Sequence, residues 1–247
     1  MRDAARRFRR VLQVRVSRTL LIARLGTVDY QEAWDLQRRL TDARRRDAIP
    51  DTLLLLEHPH TYTLGRRSKP GHVLLTHDEL KRRGIPLYEV DRGGDVTYHG
   101  PGQLVGYPIL QRTRARIDYI SYIRDMEQAL LASGLRLGVP AQRRDGFSGV
   151  WVGNDKLCAI GVKIDAYGIT SHGFALNVNT DLSFFSHIVP CGISDGGVTS
   201  LQRELKRRVS MRRVMDAVVQ SMGEAFGLDA RARFVGLDRV KYLASAI

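Results

Sequence analysis

The feature that most constrains the fold of this chain is a glycine-dense stretch, residues 91–110. Five of its twenty residues are glycine, and residues 87–90 and 104–110 have the apolar character of strands. Glycine reaches positive φ at little cost and lets another molecule approach the main chain closely. A long hairpin is the simpler alternative, but a turn does not need the polar residues Arg92, Asp95, Thr97, Tyr98, His99 and Gln103. The stretch therefore predicts a surface that lies against a ligand.

Length and composition predict one soluble domain. The 247 residues can bury a sizeable core, and no apolar run approaches the roughly 18 residues of a membrane span. No repeat or linker divides the chain, so we expect a single domain over residues 19–247, in the cytoplasm. Residues 1–18 are expected to form a basic extension, and an organellar transit peptide is the alternative.

Charge is strong and unevenly distributed. The formal net charge is +13, and arginine supplies 33 of the 39 basic residues, yet no arginine lies within residues 151–200. Such a charge attracts acidic partners. Nucleic acid is one class, but the chain has no helix-turn-helix, zinc-finger or ribonucleoprotein motif. A basic rim around a nearly neutral centre favours docking of an acidic macromolecule that delivers a small group.

The cysteines are Cys158 and Cys191, and free thiols in a reducing compartment are a plainer interpretation than a disulfide. Acyl transfer by cysteine needs a thiolate, whereas a thiol with a pKa of about 8.5 is mostly protonated at neutral pH. A nearby cation favours the thiolate, and strand alternation predicts that Lys156, Cys158 and Ile160 share one face. Cys191 lies in a Pro-Cys-Gly loop that suits an exposed nucleophile, whereas the apolar surroundings of Cys158 suit a packed residue.

Two histidines, His58 and His60, are close enough in sequence to suggest metal ligands. Carboxylates and thiols at a convincing spacing are lacking around them. We therefore interpret both as structural or cavity-lining residues and predict no metal site.

Local patterns predict the remaining elements. Asp29 is a candidate N-cap for a helix over residues 30–47, and Ser210 for a helix over 211–226 that Gly227 ends. Thr199 and Gln202 form a candidate capping box for a short helix. Further helices are predicted at 77–83 and 117–133, and strands at 11–16, 20–25, 52–57, 61–64, 135–137, 149–152, 156–164 and 173–178. The tail, residues 228–247, is only weakly patterned.

Seven motifs in sequence order resemble those of the lipoyl(octanoyl) transferases, over roughly residues 19–226. They are L-G-T-V-D-Y from Leu25, E-H-P-H-T-Y-T-L-G-R from Glu57, R-G-G-D-V-T-Y-H-G-P-G-Q-L from Arg92, K-L-C-A-I-G-V-K from Lys156, H-G-F-A-L-N-V from His172, P-C-G-I from Pro190 and V-T-S-L from Val198. Any one of them would be a weak signal, but together they are specific.

The resemblance implies an α+β fold of the lipoate and biotin protein ligase group, with a central mixed β-sheet flanked by helices and a smaller sheet. It implies transfer of octanoyl from octanoyl-acyl carrier protein to a lysine of lipoyl domains, a step of lipoate biosynthesis. The acceptors would be 2-oxoacid dehydrogenase subunits and the glycine-cleavage H protein. No cofactor is implied, because the donor thioester is already activated, and a monomer is expected.

The same resemblance assigns roles to residues. Cys191 would carry the acyl group as a thioester, and Lys156 would lower the pKa of that thiol and could shuttle a proton. The substrate-binding residues would be Arg92, Gly93, Gly94, Asp95, Val96, Thr97, Tyr98, His99, Ala159, Ile160, Gly161, Gly173, Phe174 and Ala175.

Two other classes of protein compete with this interpretation. An ATP-dependent lipoate or biotin ligase would share the fold but need an adenylate site and no catalytic cysteine. A basic nucleic-acid-binding protein would show tight and steeply salt-dependent binding to DNA or RNA.

Overall fold

The computed structural model of the chain describes residues 18–112, 118–189 and 196–245. Its helices are α1 (Tyr30–Arg45), α2 (His77–Arg82), α3 (Tyr119–Arg136), α4 (Leu201–Leu205), α5 (Met211–Phe226) and α6 (Leu237–Ser245), with a 3₁₀ helix at Leu182–His187. Its strands are β1 (Arg18–Thr27), β2 (Asp51–Glu57), β3 (Thr61–Leu64), β4 (Leu87–Glu89), β5 (Thr97–His99), β6 (Gln103–Ile109), β7 (Gln142–Arg144), β8 (Phe147–Val152), β9 (Asp155–Ile164), β10 (Thr170–Asn177) and β11 (Leu228–Val235).

The strands form two sheets. The large sheet has the order β11-β1-β2-β6-β10-β9-β8-β7, and the small sheet has the order β4-β3-β5. In the large sheet β1 is parallel to both of its neighbours, and the other pairs are antiparallel. The fold is therefore a mixed sheet with helices and a smaller sheet, as the family resemblance implied.

Both faces of the large sheet are covered, and strand β2 shows how its sequence allows this. Leu53 and Leu55 belong to the core beneath α3 and α5, whereas Leu54 and Leu56 belong to the core beneath α1 and α6. Successive side chains of a strand point to opposite faces. A continuous run of leucine therefore fits a central strand that is buried on both sides.

Polar side chains and a glycine set the helix ends, largely as predicted. The Asp29 carboxylate accepts the backbone N–H groups of Gln31 and Glu32 at the start of α1. Ser210 accepts the N–H of Arg213 at the start of α5, and Gly227 ends that helix with φ of 64°. Glycine adopts this left-handed conformation without the steric cost that a β-carbon brings.

Two predictions of local structure were wrong. Residues 135–137 are not a strand, because α3 runs through Arg136 and Leu137 forms its C-cap. The N-cap of α4 is Ser200, which accepts the N–H of Arg203, while the Thr199 hydroxyl donates to the Glu204 carboxylate.

The weakly patterned tail, for which no element was predicted, contains β11 and α6. The predicted strand at 11–16 lies outside the described residues.

Candidate active site

A cavity opens between the glycine-dense stretch and strands β9 and β10. Most of the predicted site residues line it, namely Arg92, Gly94, Asp95, Val96, Thr97, His99, Lys156, Ala159, Ile160, Gly161, Gly173, Phe174 and Ala175. Gly93 and Tyr98 lie beside this lining without belonging to it, and Cys191 lies outside the described residues. The fold thus brings three separate stretches of sequence to one cavity, and the roles of their residues stay predictions.

The glycine-dense stretch is held to both sheets by backbone groups and one buried arginine. Arg92 donates from Nη2 to the carbonyl and hydroxyl oxygens of Thr63, at 3.0 and 2.9 Å. The N–H of Gly93 donates to the carbonyl oxygen of Val162 at 2.9 Å. A β-carbon on Gly161 would lie 2.9 Å from the Gly93 carbonyl oxygen. Glycine at this position therefore allows the stretch to pack directly on β9.

A β-bulge decides where Lys156 points, and it corrects the predicted shared face. Val150 pairs with Cys158, but the next residue of β8, Trp151, pairs with Lys156. Leu157 is therefore the extra residue of a bulge, which breaks the two-residue alternation of the strand. As a result Lys156 lines the cavity, whereas Cys158 packs in the hydrophobic core.

Cys158 is the packed residue that the sequence predicted. Its side chain is fully buried among apolar residues. Burial raises the pKa of this thiol, because a thiolate would lose its hydration there. Cys158 is therefore chemically quiet at neutral pH, and thiol labelling of the native chain should report on Cys191 alone.

Lys156 is anchored through both its backbone and its side chain. Its Nζ lies 4.8 Å from the centre of the Trp151 ring, over a fully buried indole. A cation over an aromatic face is attracted by the ring quadrupole. The Lys156 N–H donates to the Gly197 carbonyl oxygen, and the Lys156 carbonyl oxygen accepts from the Thr199 N–H, each at 3.0 Å. These contacts join β9 to the chain just after residues 190–195, which we call the Cys191 segment.

The chain on either side of the Cys191 segment lies at the same cavity. Ile188 before it and Gly196 after it both line the cavity, together with Lys156. On the incoming side, the N–H of Val189 donates to the carbonyl oxygen of His72 at 2.9 Å. On the outgoing side, the N–H of Gly197 donates to Asp155 Oδ1 at 2.9 Å.

Two buried histidines of the cavity region are neutral and fixed in one tautomer. His58 lies 2.7 Å from the Val28 carbonyl oxygen through Nδ1, so Nδ1 carries the proton and Nε2 accepts from the Tyr107 hydroxyl at 2.8 Å. His99 lies 2.9 Å from Gln103 Oε1 through Nδ1 and donates in the same way. Burial lowers the pKa of His58 to about 4, and it lowers the pKa of His99 well below its usual value.

A third histidine, His172, ties the start of the glycine-dense stretch to β9 and β10. Its Nε2 lies 2.8 Å from Asp91 Oδ1, and Lys163 Nζ lies 2.5 Å from Asp91 Oδ2. The hydrogen bond from His172 and the ion pair with Lys163 lower the pKa of the Asp91 carboxyl group. His172 also lines the cavity and has φ of 56°, which is rare for a residue with a β-carbon.

Sequence reasoning missed several residues that line the cavity. Tyr30, Arg67, Tyr107 and His172 contribute to it from four different elements or loops. Tyr30, Arg67 and His172 lie within or next to a quoted motif, and Tyr107 lies in the glycine-dense stretch, but nothing in the local pattern showed that their side chains face the same space. His172 was the easiest of the four to predict from sequence, since it directly precedes the predicted Gly173.

Neither a metal cluster nor a membrane span appears in the described part of the chain. Within residues 18–112, 118–189 and 196–245, no three His, Cys, Asp or Glu side chains form a group that could hold a metal ion. No described helix is both long and apolar enough to cross a membrane.

The chain belongs to the lipoyl protein ligase A/B catalytic domain family, whose model matches residues 29–223. It is 49% identical over 213 residues to the octanoyltransferase of Chloroflexus aggregans. The aligned residues cover 85% of this chain and 96% of that protein. It is 49% identical over 203 residues to the octanoyltransferase of Rubrobacter xylanophilus, which covers 82% of this chain and 91% of that protein. The activity is therefore octanoyl transfer in lipoate biosynthesis, as the motifs predicted.

Solved structures share the fold at lower identity. Lipoate-protein ligase A bound with ATP matches with a TM-score of 0.71 and 21% identity, covering 94% of each chain. A bipartite lipoate protein ligase from Thermoplasma acidophilum, studied with its E2 lipoyl domain, matches with a TM-score of 0.67 and 20% identity, covering 92% of this chain and 91% of that one. These likenesses confirm the predicted fold class.

The Asp155 hydrogen bond makes the first testable prediction. Asp155→Ala leaves the N–H of Gly197 without this acceptor, at a cost of about 1 kcal/mol. Because that N–H anchors the outgoing side of the Cys191 segment, we expect the rate of octanoyl transfer to fall about fivefold. Asp155→Asn keeps an oxygen acceptor and should recover most of the rate. Quench-flow mass spectrometry measures both, and equal rates for Asp155→Ala and wild type would contradict the anchoring role.

Proposed function

We propose that the enzyme takes octanoyl from octanoyl-acyl carrier protein onto Cys191 as a thioester and then passes it to a lysine of a lipoyl domain. The observation that carries this proposal is the cavity itself, because Lys156 and the residues on both sides of the Cys191 segment line the same space. A thiol within that segment would meet an acyl group in the cavity. The ammonium group of Lys156 would then lie beside that thiol.

In the first half-reaction, the ammonium group of Lys156 lowers the pKa of the Cys191 thiol and so maintains a thiolate. The thiolate attacks the carbonyl carbon of the donor thioester, and the bond from that carbon to the carrier's sulfur breaks. The departing thiolate takes a proton from Lys156. The products are an acyl-enzyme, a free carrier thiol and a neutral Lys156.

In the second half-reaction, the neutral Lys156 acts as the general base. The amine of the acceptor lysine attacks the thioester on Cys191 and gives up a proton to Lys156 Nζ. The bond between the acyl carbon and Cys191 breaks, which restores the thiolate beside the ammonium group. A thioester becomes an amide, so the transfer runs downhill without ATP, metal or organic cofactor.

The lining of the cavity supports an apolar acyl chain. Val96, Ile160, Phe174 and Ala175 present apolar side chains there. The neutral state of His58 and His99 removes two positive charges from the region. We propose that the octanoyl chain lies against these residues.

The partners follow from the same chemistry. The structural relative from Thermoplasma acidophilum is paired with an E2 lipoyl domain in its own system, which supports lipoyl domains of 2-oxoacid dehydrogenases and the glycine-cleavage H protein as acceptors here. We further propose that the enzyme acts as a monomer in the cytoplasm. In this proposal residues 19–247 form the single catalytic domain, and residues 1–18 are a basic extension.

Transfer assays with defined components test this function. Octanoyl-acyl carrier protein, a lipoyl domain and the enzyme are mixed without ATP, and the mass of the lipoyl domain is followed. We expect one octanoyl group on the domain's lysine, and no product with a lipoyl domain in which that lysine is arginine. Modification from free octanoate that depends strictly on ATP would instead support a ligase.

A further inference from the structure

We propose that an exposed surface beside the cavity mouth is where the octanoyl-loaded carrier protein docks. This surface, the docking ribbon, consists of Arg66, Arg67, Lys69, Leu74 and Val189. The inference rests on the proposed function, since it assumes that a carrier protein is the donor. It adds the location of the encounter and the chemistry that recognises the carrier.

The ribbon's basic end is fixed at the mouth by backbone hydrogen bonds. The N–H of Arg66 donates to the Arg92 carbonyl oxygen at 3.1 Å, and the N–H of Arg67 donates to the Gly94 carbonyl oxygen at 3.0 Å. Arg67 is exposed and also lines the cavity. Its side chain therefore belongs both to the outer surface and to the entrance that an acyl chain must pass.

The cations of the ribbon form no ion pair with a described carboxylate, although Arg66 and Lys69 share a groove with Glu89. Arg66, Arg67 and Lys69 are all exposed, and none has a carboxylate within ion-pair distance among the described side chains. Arg45 and Arg136, by comparison, form ion pairs with Asp165 and Glu224. Unpaired cations around an entrance attract an acidic partner and speed its association.

The apolar end of the ribbon adjoins the Cys191 segment. Val73 and Ile188 pair as antiparallel neighbours and belong to the core of the small sheet. Because side chains alternate along extended chain, Leu74 and Val189 point the other way. They are 56% and 40% exposed, although both are apolar. Exposed apolar side chains flanked by cations are typical of a protein interface.

The chemistry of the donor favours a carrier protein over a lipoyl domain as the occupant. The prosthetic arm of an acyl carrier holds a phosphodiester between the protein and the thioester, whereas the side chain of an acceptor lysine holds no anion. A guanidinium group suits a phosphate oxygen pair. Arg67 lines the passage through which the arm would thread, so it can meet this phosphate while Arg66 and Lys69 face the acidic surface of the carrier.

Charge reversal with two donors tests the ribbon. The test pair is Arg66→Glu with Lys69→Glu, and the control pair is Arg212→Glu with Arg213→Glu, which changes the net charge equally. Arg212 and Arg213 are exposed at the start of α5 and do not line the cavity. Glutamate suits a helix N-terminus, and at 213 it forms a capping box with Ser210. Acylation of the enzyme is measured with octanoyl-acyl carrier protein and with octanoyl-pantetheine, which has neither protein nor phosphate.

The measured quantity is kcat/KM with octanoyl-acyl carrier protein divided by kcat/KM with octanoyl-pantetheine. We expect this ratio to fall about tenfold or more in the test pair and to stay at the wild-type value in the control pair. A similar fall in both pairs would show that net charge matters and the ribbon does not, which overturns the proposal. An unchanged ratio in the test pair would also overturn it, and slower transfer to the lipoyl domain in that pair would then assign the surface to the acceptor. Tight binding of nucleic acid at the ribbon would overturn it as well. If neither donor acylates the wild-type enzyme, the proposed function itself fails. That result is distinguishable, because octanoyl-pantetheine lacks both the carrier protein and the phosphate that the ribbon is proposed to bind.

Discussion

Replacing Lys156 by methionine is expected to slow acylation of the enzyme by on the order of 10²- to 10⁴-fold at pH 7. Methionine keeps an unbranched side chain but has no charge, so the Cys191 thiol would return toward its ordinary pKa. At that pKa only a few per cent of the thiol is thiolate at neutral pH, which alone slows the attack by roughly 30-fold. Loss of the proton donor for the departing carrier thiolate accounts for the remainder. The loss should therefore shrink as the pH rises toward 9, whereas a misfolded variant would show no such recovery.

The pKa of Cys191 can be followed directly by its rate of alkylation at different pH values. The buried Cys158 does not interfere, because it is inaccessible and burial raises the pKa of its thiol. Lys163→Met is a matched control on the same strand, since Lys163 pairs with Asp91 and does not line the cavity. We expect the pKa of the Cys191 thiol to be raised in Lys156→Met and to stay at its wild-type value in Lys163→Met. Equal alkylation profiles in the two variants would refute the role of Lys156.

Acidification from pH 7 to pH 4 is expected to lower the free energy of unfolding by about 3 kcal/mol through His58 alone. Burial lowers the pKa of this histidine to about 4, against 6.5 in the unfolded chain. Between those values the unfolded chain binds a proton that the folded chain does not. The contribution of neutral His58 to the free energy of unfolding is therefore fully present above pH 6.5, and it is lost as the pH falls toward 4. His99 and His172, whose pKa values are also lowered, add in the same direction.

Denaturant unfolding of wild type and His58→Gln at several pH values measures this effect. The variant is expected to be less stable at pH 7, because it disturbs the contacts with Val28 and Tyr107, but its stability should decline less steeply with acid. His77→Gln alters an exposed histidine at the start of α2 and should keep the wild-type slope. Parallel pH profiles for wild type and His58→Gln would show that His58 is not the group that titrates.

Sequence predicted the parts of this molecule that depend on local chemistry. Asp29 and Ser210 cap the helices they were assigned to, because capping requires only a side-chain acceptor near the first turn. The glycine-dense stretch forms a wall of the cavity, because its composition permits a close approach of backbone that few other sequences allow. The motifs identified the family, since their order and spacing are specific.

Features that depend on tertiary contacts were not predicted. The bulge at Leu157 arises from the register between β8 and β9, so alternation alone placed Lys156 and Cys158 on the same face. Strand β11 is stabilised by pairing with β1, which lies more than two hundred residues earlier in the chain. The neutral state of His58 is also a property of the folded environment, in which burial outweighs a hydrogen bond to Val28.

The most direct test of the account is the intact mass of the enzyme after mixing with octanoyl-acyl carrier protein in the absence of ATP. For wild type we predict a single octanoyl adduct that hydroxylamine removes and that a lipoyl domain takes up. Cys191→Ser should show no hydroxylamine-labile adduct, although Cys158 is still present. A wild-type enzyme that remains unmodified, or an adduct of the same lability on Cys191→Ser, would contradict a thioester on Cys191.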